Sequence, residues 1–326
     1  MTHEKRRALI CGVSGQDGSY LAQILLYKGY EVWGSSRDAQ INSFSGLHQL
    51  GIFDQVKIIS MSLIDFRSVL QGISKVQPHE IYNLAGQSSV GLSFEQPIES
   101  LESITNSVLN LLEAIRFLDK GIRFYNAGSS ECFGDTGGYF ADEETPMRPK
   151  SPYAIAKAAA TWQVTLYREA YGLLASTGIL FNHESPLRPA SFVTKKIVSA
   201  ACRIALGSKE SLELGNIDIR RDWGWAPEYV DAMWRMLNED DPRDFVIATG
   251  VTLSLREFLE AAFECVGMRW EKYVVINTNL IRPSDPFEIK GSPLKAALFL
   301  KWTPQIVGVE LVKKLVAIEL TKCRNN

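Results

Sequence analysis

Short apolar runs recur at residues 8–13, 31–36, 56–60, 80–85, 122–127 and 173–180, separated by segments long enough for helices. This alternation leaves few folds open, because parallel strands need crossover connections, and a helix laid on the sheet supplies them. It predicts an α/β fold with a Rossmann-type doubly wound parallel sheet. The first run, Arg7 to Val13 (RALICGV), enters Gly12-Val13-Ser14-Gly15-Gln16-Asp17-Gly18, and Tyr20 to Tyr27 then reads as a helix. Glycines in such a turn allow close backbone approach, and the amino end of the helix attracts pyrophosphate. Gly12, Ser14, Gly15, Gln16, Asp17 and Gly18 are therefore candidate dinucleotide-binding residues.

A second stretch, residues 127–157 (AGSSECFGDTGGYFADEETPMRPKSPYAIAK), carries Ser129, Glu131, Tyr153 and Lys157. Ser151-Pro152 is a helix-start signal, a hydroxyl cap followed by proline at the first helical position. Tyr153 and Lys157 then fall one turn apart on the same helix face. An ammonium beside a phenol favours the phenolate, which makes Tyr153 a candidate general base towards a substrate hydroxyl. Taken alone, a Tyr-x-x-x-Lys pair is ordinary helix surface. Its weight comes from the company of the glycine turn and of Ser129-x-Glu131.

Beyond residue 181 the strand–helix alternation gives way to prolines and longer irregular stretches. Phe192–Leu206 and Pro227–Leu237 read as helices, and Ser211–Leu214 and Phe245–Ala248 as strands. Ser254-Leu255-Arg256-Glu257 is a capping box opening another helix. Asp65 is a cap for a helix to about Val76, and Ser89 to Leu118 should hold a long helix interrupted near its start by Pro97. This divides the chain into residues 1–180, a nucleotide-binding domain, and 181–326, a smaller α/β substrate domain. The second part is expected to be partly interleaved with the first, with about 227–255, and the strand at 245–248 in it, returning to the main sheet.

The bulk properties exclude several classes. A net charge of −2 gives no field for nucleic acid or an anionic membrane. No apolar run approaches the roughly 20 residues that span a bilayer. The opening MTHEKRR runs straight into the first strand, leaving no room for a signal peptide. Five scattered cysteines (Cys11, Cys132, Cys202, Cys265, Cys323) form no C-x-x-C and no disulfide framework, which points to a reducing cytoplasm. The four histidines have no metal-ligand spacing, so no metal is expected, and His183 reads as a structural or loop contact.

GVSGQDGSYLAQILLYKGYEVWG, IYNLAGQSSVGLSFEQP, SSECFG, SPYAIAK, YREAYG, GILFNHESPLR, LGNIDIRRDWG, DFVIATGV and IRP run from residue 8 to about 304. In these stretches the chain resembles the GDP-mannose 4,6-dehydratases, a family of extended short-chain dehydrogenase/reductases. The resemblance implies NADP as cofactor, held by the glycine turn, Arg37, Leu84, Ala85, Tyr153 and Lys157. Arg37 and two serines at the end of the second strand suit a ribose 2′-phosphate, which a guanidinium binds in a fork. It also implies a GDP-sugar contacted by Gln87, Ser88, Ser89, Asn182, Lys196, Leu214, Gly215, Asn216, Arg221 and Arg282. Arginines suit the two charges of a diphosphate. Tryptophans at 223 and 225 argue against reading Arg220-Arg221-Asp222 as a purely solvated charge run.

The implied cycle oxidises the sugar at C4 through Tyr153, Lys157 and Ser129. Glu131 then eliminates water across C5 and C6, and hydride returns to C6. The family also implies a homodimer, or a homotetramer, with helices near 98–118 and 152–171 forming the dimer contact. Three positions depart from the family pattern. Asp38-Ala39-Gln40 follows Arg37 where relatives carry arginine and serines, Ser60-Met61-Ser62-Leu63 lacks an aspartate, and Asp285 replaces a glutamate. Other readings on the same residues are a reductase of the 4-keto-6-deoxy product, a dehydratase of a GDP-manno-heptose, and a non-catalytic nucleotide-sensing module.

Overall fold

The computed structural model describes residues 5–325. Met1 to Glu4, which begin the stretch read as leaving no room for a signal peptide, lie outside them. Thirteen strands are described: β1 (Arg7–Cys11), β2 (Glu31–Ser36), β3 (Lys57–Ser60), β4 (Glu80–Asn83), β5 (Arg123–Ala127), β6 (Ala175–Leu180), β7 (Asn182–Glu184), β8 (Leu212–Leu214), β9 (Arg220–Trp225), β10 (Phe245–Ile247), β11 (Thr252–Ser254), β12 (Val274–Ile276) and β13 (Glu288–Ile289). Seven form one sheet in the order β10-β6-β5-β4-β1-β2-β3, all pairs parallel. The direction of winding reverses between β1 and β4, so a crevice opens at the carboxyl ends of these two strands.

Buried on both faces, the strands alternate between two cores. Leu9 and Cys11 join Ile81, Phe124 and the helices Phe66–Val76, Ser107–Leu118 and Pro152–Tyr171. Ala8 and Ile10 join Tyr82, Tyr125 and the helices Gln16–Tyr27 and Ala226–Leu237. One charge is buried in the sheet, Glu80 on β4, and it is answered by the Tyr30 and Tyr82 hydroxyls at 3.0 and 2.7 Å and by Arg6 at 3.3 Å.

The local signals hold where they were read. Asp65 accepts from the Arg67 amide, Ser151 from that of Ala154, and Ser254 with Glu257 closes its capping box. The expected return of the strand near 245–248 takes place, as β10 pairs with β6 at the sheet edge. The helix expected over Ser89–Leu118 is more broken than one proline requires. It runs as Val90–Glu95, Pro97–Leu101, a π-helical turn Glu102–Asn106 and Ser107–Leu118.

Beyond β6, β7 pairs with β9, which also takes β11 and β13 as partners, and β8 pairs with β12. Arg220-Arg221-Asp222 is thus strand, with Arg221 and Asp222 buried. A third core lies among the helices Val193–Ala205, Leu255–Glu264 and Gly308–Asn325. Among the described residues no helix is long and apolar enough to cross a membrane.

Candidate active site

The crevice at the sheet's switch point is a cleft of about 940 Å³ lined by the glycine turn, the end of β2 and the loop after β4. Gly12 has φ +85°, and a Cβ there would stand 2.9 Å from the Ala85 amide nitrogen and the Leu84 carbonyl. A Cβ on Gly18 would meet the Gly12 carbonyl oxygen at 2.3 Å. Positions 12 and 18 are therefore closed to side chains, and the helix Gln16–Tyr27 begins at Gly15 without a side-chain cap. Backbone amides left without a cap at a helix start suit a dinucleotide pyrophosphate, so the cradle fits the cofactor that the sequence implies.

Gly12, Ser14, Gly15, Gln16, Asp17, Gly18, Arg37, Leu84 and Ala85 all line this cleft, as do Gln87 and Ser88. Arg37 is exposed at the rim. The neighbouring acid, Asp38, is turned into its own loop, accepting from the Gln40 and Ile41 amides at 2.9 and 3.3 Å. Asn42, which sequence reasoning missed, donates to the Ser14 and Ser36 hydroxyls at 3.2 and 3.1 Å and so ties the glycine turn to β2.

The four catalytic candidates come together at the end of β5 and are all buried. Ser129 caps the short 3₁₀ turn Ser130–Phe133, accepting from the Glu131 amide at 3.3 Å. Ser151 and Pro152 start the helix that carries Tyr153 and Lys157. The Lys157 ammonium donates to the Ala127 carbonyl at 2.8 Å and lies 5.8 Å from the Tyr153 ring centre. Burial lowers this ammonium to about 8.

The expectation of a phenolate favoured by its lysine is not met in the free protein. Burial pushes the Tyr153 phenol well above its usual 10, against the opposing hydrogen bond from Ser129. Desolvation disfavours the charged form more strongly than one lysine, itself partly discharged by burial, can offset. Glu131 is also raised by burial, opposed by the guanidiniums of Arg221 and Arg282, while Asp285 pushes it further up. A carboxyl raised by burial holds a proton more readily than an exposed one, which suits acid–base work.

The substrate candidates divide. Arg221 is buried on β9, with its Nε 3.9 Å from Glu131 and its Nη2 2.7 Å from Asp285. Arg282 is 3.7 Å from the same Asp285 oxygen. Asn182 opens β7 beside Trp223 on β9. Lys196 and Asn216 are exposed, and the Asn216 side chain accepts from the Asp218 amide at 2.9 Å. Leu214 is buried at the end of β8, and Gly215 lets the Leu280 carbonyl approach to 2.9 Å of where a Cβ would sit. Ser89 also has a structural task. Its hydroxyl caps the helix Val90–Glu95, and its carbonyl accepts from the Gln87 amide group at 2.7 Å. The Gln87 side-chain oxygen has no partner among the described residues, which leaves a buried acceptor at the mouth of the cleft.

Two residues of the FNHESPLR stretch matter more than they did in sequence. Arg188 lines the cleft, 3.2 Å from Glu184, with its guanidinium 3.7 Å above the Phe192 ring. His183 is buried against Tyr229 and places Nε2 2.8 Å from the Asp17 carboxylate and Nδ1 2.7 Å from the Phe181 carbonyl. Beside it, Gln16 donates to the His183 carbonyl at 3.1 Å and accepts from Ser185 at 2.7 Å. The glycine turn is thereby fastened to β7 by side chains about 167 positions apart.

Residues 9–315 match the family described as GDP-mannose 4,6 dehydratase. The chain is 43% identical to GDP-mannose 4,6 dehydratase 1 of Arabidopsis thaliana, over 97% of this chain and 90% of that protein. It is 42% identical to the Sinorhizobium fredii GDP-mannose 4,6-dehydratase, covering 98% of each, and 40% identical to the human GDP-mannose 4,6 dehydratase, covering 98% and 92%. In three dimensions it is similar to the Thermus thermophilus UDP-glucose 4-epimerase in complex with NAD, with a TM-score of 0.84 at 26% identity over 96% and 98% of the two chains. RMD of Pseudomonas aeruginosa complexed with NADPH shares the fold, with a TM-score of 0.79 at 20% identity over 98% and 100%. By the match over most of its length and by these relatives, the chain belongs to the GDP-mannose 4,6-dehydratase family.

Proposed function

We propose that this protein converts GDP-D-mannose to GDP-4-dehydro-6-deoxy-D-mannose and water, with NADP as its recycled cofactor. The observation that carries the reading is Glu131, a buried carboxyl next to Ser129, Tyr153 and Lys157 at the end of β5. Oxidation at C4 needs only the last three; elimination needs a further acid–base group. When bound, the nicotinamide supplies a hydride acceptor for C4 and a hydride donor for C6. Tyr153 would take the C4 hydroxyl proton as its phenolate, with the Ser129 hydroxyl assisting. Burial disfavours that state in the free protein. The Lys157 ammonium, together with the positive charge of a bound oxidised nicotinamide, would favour it. The C4 ketone acidifies C5, and Glu131 removes that proton and delivers it to the departing C6 hydroxyl. Arg221 and Arg282 hold the diphosphate, and residues 181–326 form the part that binds the GDP-sugar.

NADP is favoured over NAD by Arg37 at the rim and by Asp38 being engaged within its own loop. A homodimer is supported by apolar side chains exposed on the helices near 98–118 and 152–171, among them Ile98 at 71%, Phe117 at 78% and Trp162 at 59%. Residence in the cytoplasm fits five cysteines without a disulfide among the described residues.

Mass spectrometry of the product from GDP-mannose, with chromatography of cofactor released on denaturation, tests the reading. The expected product has lost water from the sugar, and the cofactor is NADP. Glu131→Gln should retain GDP binding while losing ~10²–10⁴-fold in turnover. Near-parental turnover in that variant would make Glu131 structural and the proposed elimination wrong.

A further inference from the structure

The two arginines assigned to the diphosphate already share an anion in the free protein. Oδ1 of Asp285 lies 2.7 Å from Nη2 of Arg221 and 3.7 Å from Nη1 of Arg282. One oxygen between two guanidiniums is the arrangement that a phosphate oxygen would take up there. The pair is largely desolvated, the Arg221 side chain being 5% and that of Asp285 13% exposed. Its attraction is therefore screened much less than at a surface.

The backbone fixes the partners unequally. Arg221 sits within β9, paired with Ile289 of β13, and its Nη1 also donates to the Arg220 and Pro286 carbonyls, both at 2.9 Å. Asp285 belongs to the irregular segment before β13. The next two residues are pinned: Phe287 donates to Asp135 at 2.9 Å and its carbonyl accepts from the Arg220 amide at 2.7 Å. The arginine is thus set by the sheet, whereas the carboxylate hangs from the end of a loop and can turn away by side-chain rotation.

We propose that Asp285 is a resident counter-anion of the diphosphate clamp, a positioning residue that the diphosphate of a GDP-sugar must displace from Arg221 and Arg282. The inference rests on the reading of the site as one for a nucleoside diphosphate. In the free protein Asp285 keeps a buried guanidinium paired. With Arg221 turned to Asp285, its Nε lies 3.9 Å from Glu131, beyond hydrogen-bonding range. A closed Arg221–Glu131 pair would hold the catalytic carboxyl ionised and unable to shuttle a proton. The charged and titratable groups around Glu131 are Cys132 beside it, Arg221 on β9, Arg282 and Asp285 on the loop before β13, and Tyr153 on the helix Pro152–Tyr171.

Calorimetric titration of the cofactor-loaded protein with GDP, and separately with inorganic pyrophosphate, tests this. Asp285→Asn keeps the shape and removes the competing charge, whereas Asp285→Glu keeps the charge. Asp285→Asn should bind both probes about tenfold tighter than the parent, a modest part of what one charge at this range can supply. Asp285→Glu should stay within a few-fold of the parent. In turnover, Asp285→Asn should lower KM for GDP-mannose and shift the acid limb of kcat/KM to lower pH as Arg221 is freed towards Glu131. Unchanged or weaker binding by Asp285→Asn would make Asp285 a support for the arginines and overturn the inference. Tighter binding by both variants would overturn it as well, because the effect would then be steric. A parent protein that bound neither probe would overturn the reading of the site itself, and this inference with it.

Discussion

His183 has both ring nitrogens against acceptors, the Phe181 carbonyl at 2.7 Å and the Asp17 carboxylate at 2.8 Å. A carbonyl only accepts, so Nδ1 carries a hydrogen, and an ionised Asp17 requires one on Nε2. Burial opposes the charge on His183, yet the Asp17 carboxylate outweighs it and raises the imidazole above 6.5. Burial likewise pushes Asp17 up, and His183 with Gln16 outweighs it, so the carboxyl ends below its usual range. Geometry and charge therefore favour an imidazolium–carboxylate pair joining the cofactor turn to β7. Replacing His183 by Gln removes the cation and leaves Asp17 with the Gln16 amide at 3.0 Å.

Breaking a buried pair costs about 3–5 kcal/mol. The Asp17 side chain keeps 20% exposure, which places the loss at the lower end, about 3 kcal/mol. For a chain of this size that is a drop of roughly 6 °C in Tm, at about 2 °C per kcal/mol. The pH dependence carries a sign. His183 is raised on folding, so its share is complete below about 6.5 and is lost as pH rises through the folded value. Asp17 is depressed, so its share is present above about 3.9 and is lost as pH falls through its folded value. Urea unfolding of parent and His183→Gln proteins from roughly pH 5 to pH 9 should give the widest gap on the acid side of neutrality, narrowing as pH rises. A gap independent of pH, or one below about 1 kcal/mol, would show a neutral hydrogen bond and refute the imidazolium.

Two further outcomes follow from the same geometry. Lys157, lowered by burial to about 8, loses its proton just above neutrality, so kcat/KM should fall as pH rises through about 8. In Lys157→Arg that alkaline limb should move up, and a limb that stays in place belongs to another group. At the proposed dimer face, Trp162→Asp with Phe117→Asp should shift the mass in light scattering from dimer to monomer. A parent protein that is monomeric at micromolar concentration would rule the contact out.

What the sequence determined by itself is local. The strands β1 to β6, the glycine turn, the Ser151 and Asp65 caps and the Ser254–Glu257 capping box depend on neighbours within a few residues, where propensity and capping act. Tyr153 and Lys157 share a face because a helix repeats every 3.6 residues, and the reading survived intact.

Tertiary structure decided everything that depends on pairing across the chain. The three-residue strand β7 and the charged strand β9 carry no pattern of their own; they form because each completes the other's hydrogen bonds. Asp17 and His183, or Arg221 and Asp285, sit 166 and 64 positions apart, and no spacing rule links them. The raised phenol of Tyr153 in the free protein was out of reach of the sequence for the same reason. The lysine one turn away is visible in the sequence, but the desolvation that overrides it comes from elements packed around both side chains, and burial of a charge is decided only when the whole fold has closed.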